Sequence, residues 1–265
     1  MKTAHSKIKT GPVSRAYHFI AEFFTTFRWR EHAPALGVIA LACLVVLVCW
    51  IAVYLVDALG AYEMGAGRGM WWHLFRNRGP VEWGQWVFLS LTSLSAAAFV
   101  GIYRERKLRK DQIFWALVSA SFMLMFIEDA GDPRHVLAEY GALLFGIRRM
   151  RTEAVFFIFI LSPLVIALLR YWKVAVSVPP QTRFYFLLGG FFYGVAASSS
   201  LFREQGGFYH ILGERLSQSL TYGNVPAFYL MDFVLEESLE LVAASIIFAG
   251  ILMFWKTGLG RPKGP

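Results

Sequence analysis

Apolar residues in this chain come in long runs separated by short charged clusters, not in the strict alternation of a half-buried sheet. A bilayer crossing takes roughly 20 mainly apolar residues. Six runs approach that length, at 33–56, 83–103, 113–129, 154–172, 184–202 and 227–255. The second is stopped by Arg104-Glu105-Arg106-Lys107-Leu108-Arg109-Lys110, the sixth is opened by Pro226 and closed by Lys256, and Pro163 predicts a kink in the fourth.

Three shorter segments read as helices lying on the membrane. In the N-terminal lead, Ala16, Ile20, Phe23 and Phe27 recur at helical spacing with Arg15, Glu22 and Arg28 opposite. After the third run, Asp132 is placed to cap a helix opened by Pro133, with Val136, Leu137, Tyr140, Leu143 and Leu144 as its apolar face. At about 22 Å from Pro133 to Ile147, this helix cannot cross a hydrocarbon core of about 30 Å. A weaker case covers 208–220. Trp71, Trp72, Trp83 and Trp86 bracket the start of the second run as an aromatic belt would.

Composition agrees. The chain has 265 residues, 57% hydrophobic and 17% charged, where a soluble domain carries about 25% charged. The expected class is an all-α polytopic membrane bundle. Residues 1–32 form a cytoplasmic basic lead, 33–255 a six-helix transmembrane domain and 256–265 a short cytoplasmic tail. The net charge of +8 does not point to nucleic acid, because the basic residues border apolar runs. They serve better as orientation signals and contacts with anionic lipid. With the N-terminus inside, the inner segments hold 17 of the 26 Lys and Arg, while 14 of the 18 acids fall outside or in outer helix ends. Cys43 and Cys49 share the first run, so neither a disulfide framework nor a zinc site is available to them.

The informative chemistry is acid within apolar helix. Asp232, Glu236 and Glu240 sit at i, i+4 and i+8, which on an α-helix stacks them on one face, with Glu237 about 100° round. Glu128 and Asp129 close the third run. Glu240 lies about 21 Å from Phe254 and Glu128 about 22 Å from Ile113, so both fall in the outer half of the bilayer. A charge near the bilayer centre costs roughly 2.5–3.5 kcal/mol. Partners, protons or a cation must therefore offset these groups. Arg134, His135, Arg203 and His210 flank them, and a divalent metal bound by carboxylates is a further option. Neither a Glu-x-x-His pair nor H-E-x-x-H is present to strengthen the metal reading.

Weaker signals are Gly190 and Gly194, a G-x-x-x-G that Ser198 extends and that predicts a packing face, and the hydroxyls Ser90, Thr92, Ser93 and Ser95. Such hydroxyls usually bond back to their own helix. No family resemblance is close enough to carry functional residues onto this chain.

The expected function is proton or metal-cation handling or transport at the cell membrane. Glu128, Asp129, Glu236 and Glu240 would be the binding site. Asp232, Glu237, Arg134, His135, Arg203 and His210 would line its access. Alternatives are a non-catalytic subunit or scaffold, with membrane-protein partners or a second copy of the chain, and a metal-dependent hydrolase acting on lipid with His135 or His210 as acid or base. A shared site requires the third and sixth runs to meet, with Glu128 within reach of Glu236 or Glu240.

Overall fold

The protein is represented by a computed structural model that describes residues 29–59, 69–75, 78–146, 149–202, 208–219 and 230–259. The amphipathic repeat from Ala16 to Phe27 lies outside them. All regular structure among the described residues is helical. α1 (Trp29–Val53) runs into a π-helical turn, π1 (Tyr54–Ala58). α2 (Met70–Phe75), α3 (Pro80–Glu105), α4 (Arg109–Gly131) and α5 (Pro133–Phe145) follow. Then come α6 (Arg149–Arg170), α7 (Trp172–Ser177), α8 (Pro180–Phe202) and α9 (Phe208–Ser219). A second π turn, π2 (Leu230–Leu235), leads into α10 (Glu236–Thr257).

Among the described residues, four helices are long and apolar enough to cross a membrane: Trp29–Ala58, the stretch Met70–Glu105 that contains α3, Arg109–Gly131 and Glu236–Thr257. α6 carries a shorter apolar segment, Ala154–Arg170.

α10 is the central element. Its buried positions run almost without a break from Leu241 to Phe254, so it lacks the polar stripe of a surface helix. It packs on α8, α1 and α3, while α4 packs on α3 and α6. The outer helices turn large apolar side chains outward, among them Leu44, Val48 and Ile51 of α1 and Ile158, Phe159 and Leu169 of α6. In water such a surface would mark an uncovered interface.

Close approach of α8 and α10 is set by Gly189. A Cβ there would meet Ile247 Cγ1 at 2.6 Å and Ala243 O at 3.0 Å. The predicted packing stripe is corrected here. Gly190 and Gly194 have open space where a Cβ would stand, and both are exposed. The G-x-x-x-G spacing marks the neighbouring face, because one residue is 100° of helix.

Polar groups inside the bundle find partners across helices. Ser93 Oγ donates to Ser119 O at 2.9 Å, and Ser119 Oγ donates to Ser93 O at 3.0 Å. These hydroxyls clamp α3 to α4, so Ser93 departs from the expectation that it bonds within its own helix. Pro163 stays inside α6. It has no N–H for the Phe159 carbonyl four residues back, and Ser162 Oγ donates to that carbonyl instead, at 2.8 Å. At the start of α1, His32 is buried with Nδ1 2.9 Å from Tyr185 OH, and Lys256 Nζ donates to Glu31 O at 2.9 Å.

Two helix ends differ from expectation. Asp132 does precede a helix opened by Pro133, but its side chain makes no capping bond. It adopts a left-handed conformation (φ 50°) and its N–H donates to Glu128 O at 2.8 Å, closing α4. The side-chain cap is made elsewhere, by Asp57. Its two carboxylate oxygens accept the N–H groups of Met70 and Trp71 at 2.8 and 2.9 Å, satisfying the first turn of α2. Asp57→Ala is expected to cost about 0.5–2 kcal/mol, read as a lower melting temperature in detergent. An unchanged melting temperature would remove this cap from the account.

Candidate functional site

The start of α3 places a polar stripe against α10. Gly79 is extended (φ −68°, ψ 169°) and Pro80 opens the helix, its missing N–H costing nothing in the first turn. Glu82, Gln85 and Leu89 then follow at i, i+3 and i+7 on one face. At Gly84 a Cβ would lie 3.0 Å from Leu241 Cδ1, so the two helices cross closely there. That crossing puts Gln85 beside Glu240. Gln85 is fully buried, and its Nε2 donates to Glu240 Oε2 at 2.8 Å and to Tyr193 OH of α8 at 3.3 Å.

α4 contributes from its last turn. The Asp129 carboxyl is within electrostatic reach of Glu240, Glu128 and Glu82, and that of Glu237 within reach of Glu240, Asp129, Glu82 and Glu236. The described charges that act most strongly on both are carboxylates. The Trp86 indole N–H approaches Asp129 but stops short of hydrogen-bond geometry. Among the described residues, Asp129 Oδ2, Glu237 Oε2 and Gln85 Oε1 are buried atoms that accept no hydrogen bond. Leaving such a group unsatisfied costs about 1–3 kcal/mol, more when it is charged.

The structure redistributes the residues expected from sequence. Glu236 and Glu240 keep their i, i+4 spacing on α10, while Asp232 precedes them in the π turn Leu230–Leu235, where the α-helical register does not carry through. An i→i+5 turn holds more residues than an α turn and breaks the 100° register. Glu237, three residues before Glu240 on α10, joins the Asp129 cluster. Glu236 is buried and within electrostatic reach of Glu237. On α4, Asp129 is in electrostatic reach of Glu240 and of its neighbour Glu128. α3 packs on both α4 and α10, and α4 also touches α10 directly where Trp115 meets Phe254. Arg203 lies outside the described residues, as do the side chains of Arg134, His135, His210 and Asp232.

Glu82, Gln85 and Tyr193 were not singled out from sequence, and Trp86 was read there only as part of an aromatic belt. The available signal was Glu82 and Gln85 at i, i+3, two polar residues on one face of an otherwise apolar run. The aromatic belt is likewise divided. Trp83 is exposed, Trp71 is buried in the core, and Trp86 turns to the carboxylates.

Among the described residues, no group of three or more His, Cys, Asp or Glu is arranged to hold a metal ion. Compared with protein-family models, curated proteins and solved structures, the chain matches none.

Proposed function

We propose that this chain is a cell-membrane protein of six spans, with both termini cytoplasmic, that binds and moves a proton or small cation through the carboxylate cluster of α3, α4 and α10. To the four helices that meet the length and apolarity of a span, α6 and α8 add two more. At 22 and 23 residues they measure about 33 and 34 Å. Both turn apolar faces outward, Val155, Ile158 and Phe159 on α6 and Leu187 and Phe191 on α8. An even count puts both termini on one side, and the Lys and Arg distribution makes that side the cytoplasm. α5 suits a surface-lying helix. Val136, Leu137, Tyr140, Leu143 and Leu144 are all exposed.

One observation carries the functional reading. Acids from three helices converge on one another, and two of them keep a buried oxygen without a donor. Ionisable groups inside a membrane mark ion or proton pathways by default. A polar stripe supports a route inward. Thr92 lies two turns below Gln85 on the same face of α3, fully buried with its hydroxyl unpartnered, and the Ser93–Ser119 pair adjoins it. The metal version, and with it the metal-dependent hydrolase, gains nothing from the described residues.

The test is flux in proteoliposomes carrying a trapped pH-sensitive dye under an imposed potassium diffusion potential. The native chain is expected to acidify the lumen faster than empty vesicles, and Asp129→Asn with Glu240→Gln to abolish the difference. Equal rates for the native chain and the double variant would sink the proton version.

A further inference from the structure

At the carboxylate cluster, unsatisfied acceptors outnumber unsatisfied donors. Three oxygens, Asp129 Oδ2, Glu237 Oε2 and Gln85 Oε1, are buried and accept nothing among the described residues. The unsatisfied donor beside them is Trp86 Nε1, which faces Asp129. Gln85 is the independent sign of a ligand. It is fully buried, and exchanging its amide oxygen and nitrogen would set oxygen against the Glu240 carboxylate. Its Oε1 is therefore fixed as a buried acceptor on the same amide whose nitrogen reaches Glu240, with no side-chain motion that satisfies it at no cost.

We infer that the cluster binds an ammonium group, free ammonium or the head of a primary amine, held by oxygens of Asp129, Glu237 and Gln85. This rests on the cation-site reading above and names the class of cation. A primary ammonium has three N–H donors and one positive charge. It meets three acceptors at once and offsets part of the carboxylate repulsion. A proton brings charge but only one donor. A hard metal ion takes about six to eight oxygens, and the described carboxylates are not arranged as such a set.

The probe is thermal unfolding of the full chain in detergent, with ammonium, methylammonium, tetramethylammonium or sodium chloride at equal ionic strength. Tetramethylammonium carries the charge without an N–H. A saturable rise in melting temperature is expected with ammonium and methylammonium and not with the other two salts. Glu237→Gln is expected to weaken the response about tenfold, the equivalent of one lost charge-assisted hydrogen bond. Mixed micelles of phosphatidylethanolamine against phosphatidylcholine separate a lipid amine from a free one. Stabilisation only by phosphatidylethanolamine assigns the lipid head, and stabilisation by the free salts assigns the small ion. Equal responses to all four salts on the native chain would overturn the inference, even if the variant fails to fold. Should the dye assay still show carboxylate-dependent flux, the broader cation-site reading survives that result. Loss of both ends both.

Discussion

Trp115→Ala should destabilise the bundle by about 3–5 kcal/mol, the largest single effect expected outside the carboxylates. Trp115 is 1% exposed and sits near the start of α4, where α3, α4 and α10 meet. Its ring centroid lies 4.7 Å from Phe99 of α3 and 4.6 Å from Phe254 of α10, and Phe99 and Phe254 are themselves 4.8 Å apart. Between membrane helices there is little hydrophobic gain from leaving lipid, so packing carries the association. Removing the central ring leaves a cavity whose lining loses its dispersion contacts. Trp83→Ala, at a position 59% exposed, should stay within about 0.5 kcal/mol of the native chain. The measurement is unfolding in detergent by heat or denaturant. Equal losses at the two positions would show that this aromatic cluster is not a core.

Gly189→Ala should cost about 1–3 kcal/mol, as overpacking does, while Gly190→Ala should be neutral or slightly stabilising. The added methyl at Gly189 would stand 2.6 Å from Ile247 Cγ1 and 3.0 Å from two backbone atoms of α10, so α8 and α10 would have to separate. At Gly190 nothing lies within 4 Å, and alanine removes glycine's conformational penalty in a helix. Melting temperatures of the two variants decide it. The reverse order would restore the packing face to Gly190 and Gly194.

The helices were legible in the sequence because a membrane helix declares itself by length and apolarity alone. The start of α3 at Pro80 follows from local residue chemistry, whereas the left-handed Lys107 beyond its end does not, since a lysine has no preference for that conformation. Facing was harder to read. Gly189 and Gly190 differ by 100° of rotation, and a run that is apolar all round gives no signal about which side meets a neighbour. Much of the acid site was legible too, since Asp129 and Glu240 stand out in greasy surroundings. Its composition was not, for two physical reasons. The π turn at Leu230–Leu235 changed the register on which the Asp232 stack depended. Gln85 and Tyr193 are neutral, so they pass in a sequence as tolerated polar residues until the fold sets both against Glu240.

That acids from α4 and α10 share one site is best tested by a double-mutant cycle on Asp129→Asn and Glu240→Gln, read as unfolding free energy in detergent. Each substitution alone removes one carboxylate from the repulsive pair, so the second should relieve less than it does by itself. A coupling larger than about 0.5 kcal/mol is predicted. Additivity within that margin would place the two carboxyls in separate surroundings and contradict the shared site.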